Sequence, residues 1–209
     1  MRGILHTLNG IVLLLVPLIG HGGAQKYEPL SASVQATLHR AIADQAVPVL
    51  AFDDAQEARA WLEAMSSRLA RKIPDRVARD EFLLTVHYEA KRAGLDPQLV
   101  LGLIQVESAF RKYAVSSAGA RGFMQVMPFW VRLIGGPDQN LFNLRTNLRY
   151  GCVILRHYLD MENGDLYRAL GRYNGSLGRS EYPSAVVAAM ARYRFEPPAP
   201  TRLGAAAPR

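Results

Sequence analysis

Glu107 is the residue whose place in the sequence most clearly predicts chemistry. It follows Leu99 and Leu103 at intervals of four residues, a spacing that places all three side chains on one face of a helix. A carboxyl group on an apolar face loses solvation, so its pKa should rise, and the helix dipole acts in the same direction. A carboxyl that keeps its proton near neutral pH suits general acid catalysis. The ordinary alternative is a glutamate at a helix end whose side chain reaches solvent.

A second unusual segment follows at residues 116–128. Gly119 and Gly122 flank a small residue and an arginine, and Gln125 then interrupts an apolar run. Glycines permit close approach of the backbone or unusual dihedral angles. A glutamine in apolar surroundings needs hydrogen-bond partners, which a sugar or a catalytic carboxyl could supply. Later, the Tyr-Asn-Gly segment at 173–175 has the pattern of an ordinary helix end.

Helical periodicity and capping residues indicate which elements position these side chains. Pro74 is expected at the first position of a helix, with Val77 on its inward face. Segments with the two-residue alternation of strands are absent, so the predicted fold class is mainly α. The predicted helices are 31–44, 54–71, 75–93, 97–110, 119–135 with a break near Pro128, 143–160, 165–173 and 183–193.

The composition excludes several function classes. Hydrophobic residues make up 49% of the 209-residue chain and charged residues 21%, a globular balance. The formal net charge is +7 but the basic residues are scattered, so we expect no nucleic-acid partner. The one cysteine, Cys152, lies in an apolar stretch and is expected to be buried and inert. The five histidines, among them His87 and His157 on the surface or its boundary, have no metal-ligand spacing, so neither metal nor cofactor is expected.

The N-terminal segment predicts export. Arg2 precedes a short apolar run and then small residues, which is typical of a signal peptide cleaved after Ala24 and of a periplasmic protein. An uncleaved membrane anchor is the alternative, although the run is about half of the roughly 20 residues that span a bilayer. The expected organisation is a signal peptide at 1–24, a helical extension at 25–74, a catalytic domain at 75–195 and a disordered Pro/Ala-rich tail at 196–209.

Three short motifs together resemble the soluble lytic transglycosylase (SLT) family, which is related to goose-type lysozyme. The resemblance covers about residues 80–195, and the order and spacing of the motifs match. The motifs are Glu107-Ser108, Gly122-Phe123-Met124-Gln125 after a lead-in from Ser116, and Arg172-Tyr173-Asn174, with Asn147 to Gly151 matching the family's helix start.

The resemblance implies a lysozyme-like helical domain, here with an N-terminal helical extension, whose cleft holds the glycan strands of peptidoglycan. It implies that Glu107 is the single catalytic acid and base. The substrate-binding residues that it implies are Ser108, Ser116, Met124, Gln125, Tyr173 and Asn174. Phe123 and Arg172 depart from the family pattern, and Arg172 would either hold a peptide carboxylate or point outward.

The family's reaction cleaves the β-1,4 bond between N-acetylmuramic acid (MurNAc) and N-acetylglucosamine (GlcNAc) without water and leaves 1,6-anhydroMurNAc ends. Two alternatives stay open. A hydrolytic muramidase would use a second carboxyl, since ordinary glycosidases use two. A non-catalytic module would only bind peptidoglycan within an envelope complex. We expect a monomer. Partners from cell-envelope assembly would fit each of these three functions. The carboxyls considered for the second role are Asp138, Asp160, Glu162, Asp165 and Glu181.

Overall fold

The computed structural model describes residues 25–43, 46–52, 54–136 and 138–197. The predicted signal peptide and residues 198–209 of the predicted tail lie outside these ranges. The mainly α fold class is confirmed, because regular structure in the described ranges consists of helices. None of these helices is both long enough and apolar enough to cross a membrane. The helices are α1 (Ala32–Ala43), α2 (Ala55–Leu69), α3 (Arg76–Arg92), α4 (Pro97–Ser108), α5 (Pro128–Ile134), α6 (Leu144–Met161), α7 (Leu166–Asn174) and α8 (Glu181–Ala191).

Short polar side chains begin most of the helices. Each accepts a hydrogen bond from a backbone N–H in the first turn, which otherwise has no partner. The prediction for Pro74 is wrong, because the helix starts after the cap at Asp75 and the proline lies one residue before that cap. The capping residues are Asp54, Asp75, Asp96, Asn143 and Asp165.

Helix α4 lies at the centre of the molecule, packed between α3 and α8. Leu99, Leu101 and Ile104 point in different directions around the helix, and all are buried. A helix that is apolar on every side is a core helix. The last turn of α4, which carries Glu107, therefore ends inside the protein.

Close packing brings α8 against α4. A Cβ atom at Gly102 would lie 2.6 Å from the backbone nitrogen of Met190, so a larger residue would push α8 away. The other end of the contact joins Glu107 of α4 to Tyr182 of α8. The two helices therefore run antiparallel, and the contact sets the distance between these two side chains.

The N-terminal extension shares its hydrophobic core with the rest of the chain. Helix α1 packs on α5 and α6, and α2 packs on α3. Leu38, Ile42, Trp61 and Met65 are buried in the same cluster as the residues of α4. The domain boundary at residue 75 thus stays a prediction, and the hydrophobic core is continuous across it.

A buried ion-pair network joins α1, α3 and α6. Glu89 of α3 is fully buried and accepts a hydrogen bond from Arg149 of α6 at 2.8 Å. Arg92 also pairs with Glu89, at 3.2 Å. The two arginines donate further to the carbonyls of Ile42 and Ala41, at 3.2 and 2.7 Å. These carbonyls end α1 and have no partner within that helix, so the network anchors α1 to the domain.

The predicted helix at 119–135 is wrong in its first half. Only Pro128–Ile134 is helical, and the preceding residues form turns with isolated bridges from Arg121 to Val115 and Val126. Gly119, Gly122 and Gln125 adopt positive φ angles of 86°, 75° and 49°. Helical residues need negative φ, so the backbone of this segment is not helical, and glycine adopts such positive angles at little steric cost.

The burial of two side chains differs from the prediction. Val77 is 77% exposed, because the buried face of α3 runs through Phe82 and Val86 instead. His87 is 1% exposed and stacks on Phe52 with ring centroids 4.5 Å apart. The expectation of a surface histidine is therefore wrong, and burial lowers the pKa of His87 to about 4.

Candidate active site

Glu107 is buried in the last turn of α4, with 4% of its surface exposed. The hydroxyl of Tyr182 donates a hydrogen bond to its Oε1 at 2.5 Å. The alternative of a glutamate that simply reaches solvent is therefore wrong. The structure thus shows a carboxyl group enclosed in an apolar core with one oxygen held by a neutral donor, which is the kind of environment that general acids use.

Tyr182 is the site residue that the sequence did not reveal. It lies in the first turn of α8 and is buried. Burial and then the charge of Glu107 raise the pKa of Tyr182 well above 10. The phenol therefore keeps its hydrogen near neutral pH and donates it to Glu107. In the sequence it resembles any aromatic residue that opens an apolar helix, so only the packing of α8 on α4 identifies it.

Tyr173 reaches the site from α7. It is fully buried, and burial followed by the charge of Glu107 raises its pKa well above 10. Its hydroxyl donates to the backbone carbonyl of Met124 at 2.8 Å. Two predicted site residues are thus joined directly, and Tyr173 lies close enough to Glu107 to be affected by its charge.

Gln125 holds the loop that passes beside the site. Its side chain is buried, and its amide nitrogen donates to the carbonyls of Ala114 and Gly122 at 3.1 and 2.9 Å. The partners that a buried glutamine needs are therefore backbone groups of its own loop. Any contact of Gln125 with a sugar stays a prediction.

Asn147, in the first turns of α6, holds the same loop from the other side. Its Oδ1 accepts from the Met124 N–H at 2.8 Å, and its Nδ2 donates to the Arg121 and Leu141 carbonyls at 2.8 and 2.9 Å. A Cβ atom at Gly122 would lie 2.4 Å from that Nδ2. Gly122 is therefore required both by its positive φ and by the asparagine beside it.

Backbone strain is concentrated around the site. Ala109 and Phe110, directly after Glu107-Ser108, have φ angles of 50° and 66°, and Gln125 has 49°. Non-glycine residues adopt such angles only where the surroundings hold them, and they cluster at functional sites. The left-handed conformation of Ala109 ends α4 directly after Ser108.

The remaining predicted site residues make local contacts. Ser108 is buried and donates to the carbonyl of Ile104 at 3.2 Å. Ser116 is half-buried and accepts from the Ala120 N–H at 3.0 Å. Asn174 is half-buried and is the last residue of α7. Contacts of these three side chains with substrate stay predictions.

Arg172 is engaged with protein carboxylates. It bonds to Glu162, which also binds Arg168, and pairs with Glu28 at 3.2 Å. The bond from Arg172 and then that from Arg168 lower the pKa of Glu162. Neither of the two orientations expected for Arg172, toward a peptide or toward solvent, describes this arrangement.

The other carboxyls considered as a second catalytic group have different roles. Asp160 pairs with Arg156 at 2.6 Å, and Asp165 caps α7. Asp138 and Glu181 are exposed. No cluster of histidine, cysteine, aspartate and glutamate suited to a metal ion occurs in the described ranges.

The fold and the site define a helical domain whose candidate acid is one buried glutamate, held by a buried tyrosine. Residues 85–190 match the family model of the Transglycosylase SLT domain, about half of the chain. The chain belongs to this family, as the three motifs predict.

Named relatives share this region. Membrane-bound lytic murein transglycosylase C from Actinobacillus pleuropneumoniae serotype 5b is 54% identical over 114 residues, covering 47% of this chain and 31% of that protein. The protein named Transglycosylase from Enterobacteria phage PRD1 is 33% identical over 98 residues, covering 47% of this chain and 36% of its own. The chain thus spans about a third of the length of these curated relatives.

One solved structure is similar in outline. An inactive mutant of the lytic transglycosylase Slt from Pseudomonas aeruginosa aligns with 83% of this chain and 38% of its own, with a TM-score of 0.49 and 20% identity.

Proposed function

We propose that this chain is a peptidoglycan lytic transglycosylase that cleaves the MurNAc–GlcNAc β-1,4 bond and leaves 1,6-anhydroMurNAc ends. The observation that carries the proposal is the buried pair of Glu107 and Tyr182, joined at 2.5 Å. Membership of the SLT family and the printed names of the relatives support the substrate class.

In the first half of the reaction, Glu107 acts as the acid. Because Tyr182 donates to Oε1, the proton to be transferred is carried on Oε2. It passes to the glycosidic oxygen as the bond from that oxygen to C1 of MurNAc breaks, which frees the GlcNAc hydroxyl. The N-acetyl group of MurNAc stabilises the positive charge that develops at C1.

In the second half, Glu107 is a carboxylate and acts as the base. It takes the proton of the C6 hydroxyl of the same MurNAc while O6 forms a bond to C1. Glu107 is then protonated again, so the cycle closes without consuming water. The hydrogen bond from Tyr182 stabilises the carboxylate between the two steps, because it strengthens as the charge forms.

The loop residues have supporting roles in this proposal. Met124 and Gln125 form one wall of the cleft, and Tyr173 positions the backbone of Met124. Asn174 and Ser116 contact the sugar from the rim, and Ser108 helps to orient the carboxyl group or the substrate. Most of these side chains are buried, so the substrate meets mainly backbone groups that they hold in place.

The place of action that fits this reaction is the cell envelope. We infer a periplasmic protein, because its substrate is the glycan strand of the wall and one named relative is membrane-bound. The same inference includes a monomer that works with envelope assembly partners.

The direct test compares Glu107→Gln with Glu181→Gln. Glutamine keeps the shape of the side chain but supplies no acidic proton, so release of sugars from purified sacculi should stop. Glu181 is exposed and precedes Tyr182, so its variant serves as the matched control and should retain full activity. Undiminished release by the Glu107 variant would eliminate the proposed catalytic role and leave a peptidoglycan-binding module.

A further inference from the structure

Gln25 lies at the start of the described chain and yet is buried, with 3% of its surface exposed. Its Oε1 accepts a hydrogen bond from the backbone N–H of Met127 at 3.2 Å, across 102 residues of sequence. It lies well outside the region that matches the SLT model, residues 85–190. A buried polar side chain brought so far by the fold is normally held there by its partners.

Met127 is the N-terminal cap residue of α5, and its own side chain caps nothing. The first N–H groups of a helix have no partner within the helix. Gln25 accepts one of these hydrogen bonds and therefore fixes the point at which the site loop enters α5.

The amide of Gln25 also lies beside the hydroxyl of Tyr173, while its Nε2 makes no hydrogen bond to the described residues. Tyr173 in turn donates to the carbonyl of Met124 at 2.8 Å. The segment 124–127 is therefore held at both ends, by Tyr173 at Met124 and by Gln25 at Met127. Between them lies Gln125 with its positive φ of 49°, a conformation that persists only when neighbours enforce it.

The residues after Gln25 fasten it from two sides. The ring of Tyr27 meets Phe129 edge to face, with centroids 5.7 Å apart, next to the start of α5. Glu28 pairs with Arg172 at 3.2 Å, next to Tyr173 on α7. Tyr27 is exposed, and Glu28 and Arg172 are half-buried, so solvent weakens both contacts. Gln25 is the one fully buried residue of this arm, residues 25–30.

We propose that Gln25 is a positioning residue for the reaction assigned above, acting through Met127 and Tyr173 without touching the substrate. The inference rests on the proposed function. It adds a residue of the N-terminal extension to a site otherwise built by the SLT domain. It also gives that extension a role: the arm completes the catalytic loop.

The kinetic test uses Gln25→Ala and Gln25→Met in the full chain, with Gln56→Ala as the control. Methionine has a similar volume but no amide, so it separates hydrogen bonding from packing. Gln56 is an exposed glutamine on α2. Both Gln25 variants should lose about tenfold in kcat with KM unchanged, because a loop displaced by a fraction of an ångström loses its catalytic geometry. The Gln56 variant should match the parent.

The second measurement follows hydrogen exchange of the Met127 amide by NMR. Exchange at Met127 should become faster in both Gln25 variants, while amides in the middle of α6 keep their protection, which shows that the fold persists. Unchanged kcat together with unchanged Met127 exchange would overturn the proposal. So would a rise in activity with a lower KM, which would mean that the arm covers the groove.

Failure of the proposed function gives a different result. In that case the parent protein itself releases no anhydro sugars from sacculi. The Met127 exchange comparison needs no activity, so it still decides whether Gln25 holds the loop.

Discussion

Replacing Tyr182 with phenylalanine removes one hydroxyl group and leaves the ring in place, so it tests the bond to Glu107 with little change in packing. The bond is 2.5 Å long and buried at both ends. Because the donor is neutral and the acceptor becomes charged during the reaction, the bond stabilises the carboxylate form selectively. Its removal should therefore destabilise the step in which Glu107 has given up its proton.

The size of the effect follows from the energy of such a bond. A hydrogen bond to a charged group contributes about 1.5–3 kcal/mol, and each ~1.4 kcal/mol corresponds to roughly tenfold in rate or one unit of pKa. We expect kcat of Tyr182→Phe to fall about 10- to 100-fold. Loss of a donor to the carboxylate favours the protonated form of Glu107, so the alkaline limb of the pH profile should move to higher pH.

The assay measures release of soluble muropeptides from purified sacculi across the pH range in which the protein stays folded. Tyr193→Phe is the matched control, because the Tyr193 hydroxyl donates to Gln105 on the same helix α4, at 2.6 Å, away from Glu107. Its pH profile should not move. Equal rates and equal profiles for the parent and Tyr182→Phe would refute the role of this bond.

Three further predictions concern the framework of the site. Glu89→Gln should lower the free energy of unfolding by about 3–5 kcal/mol, measured by urea denaturation, because it leaves the buried Arg149 without its counter-ion. Burial lowers the pKa of His87 to about 4, so the histidine takes up a proton in the unfolded chain at a higher pH than in the folded protein. The free energy of unfolding should therefore drop by roughly 3 kcal/mol between pH ~6.5 and ~4, and the His87→Phe variant should lack that part of the drop. Gly122→Ala should reduce both thermal stability and kcat, because its Cβ would meet Asn147 Nδ2 at 2.4 Å; unaltered melting and activity would show that the loop adapts.

The burial of the Glu107 carboxyl could be predicted because the evidence for it is local. The spacing of Leu99, Leu103 and Glu107 along one helix already indicates a carboxyl on an apolar face. The structure agrees, and it adds that α4 is apolar on its other sides as well. The starts of α2, α4, α6 and α7 were predicted for the same reason, since an aspartate or asparagine cap acts only on its own first turn.

The partner of that carboxyl could not be predicted from one sequence. Tyr182 is 75 residues from Glu107, and its place depends on how closely α8 packs on α4 at Gly102. Gln25 and Glu89 were missed for a related reason, because their partners come from distant elements. Such contacts are properties of the packed fold, and residue type alone does not distinguish these side chains from ordinary core or surface residues.

The loop before α5 shows a different kind of error. Its apolar run favours a helix by composition, yet the positive φ angles at Gly119, Gly122 and Gln125 exclude one. The two glycines were visible in the sequence as residues that favour such angles. The positive φ of Gln125 could not be predicted, because it is imposed by the carbonyls of Ala114 and Gly122, to which the side chain of Gln125 donates.

In the proposed reaction, Glu107 recovers its proton from the C6 hydroxyl of the same MurNAc, and water takes no part. Digestion of sacculi in water enriched in ¹⁸O, followed by mass spectrometry of the released sugars, tests this directly. The account predicts 1,6-anhydroMurNAc ends that carry no heavy oxygen. Reducing MurNAc ends labelled with ¹⁸O would contradict it and identify a hydrolytic muramidase.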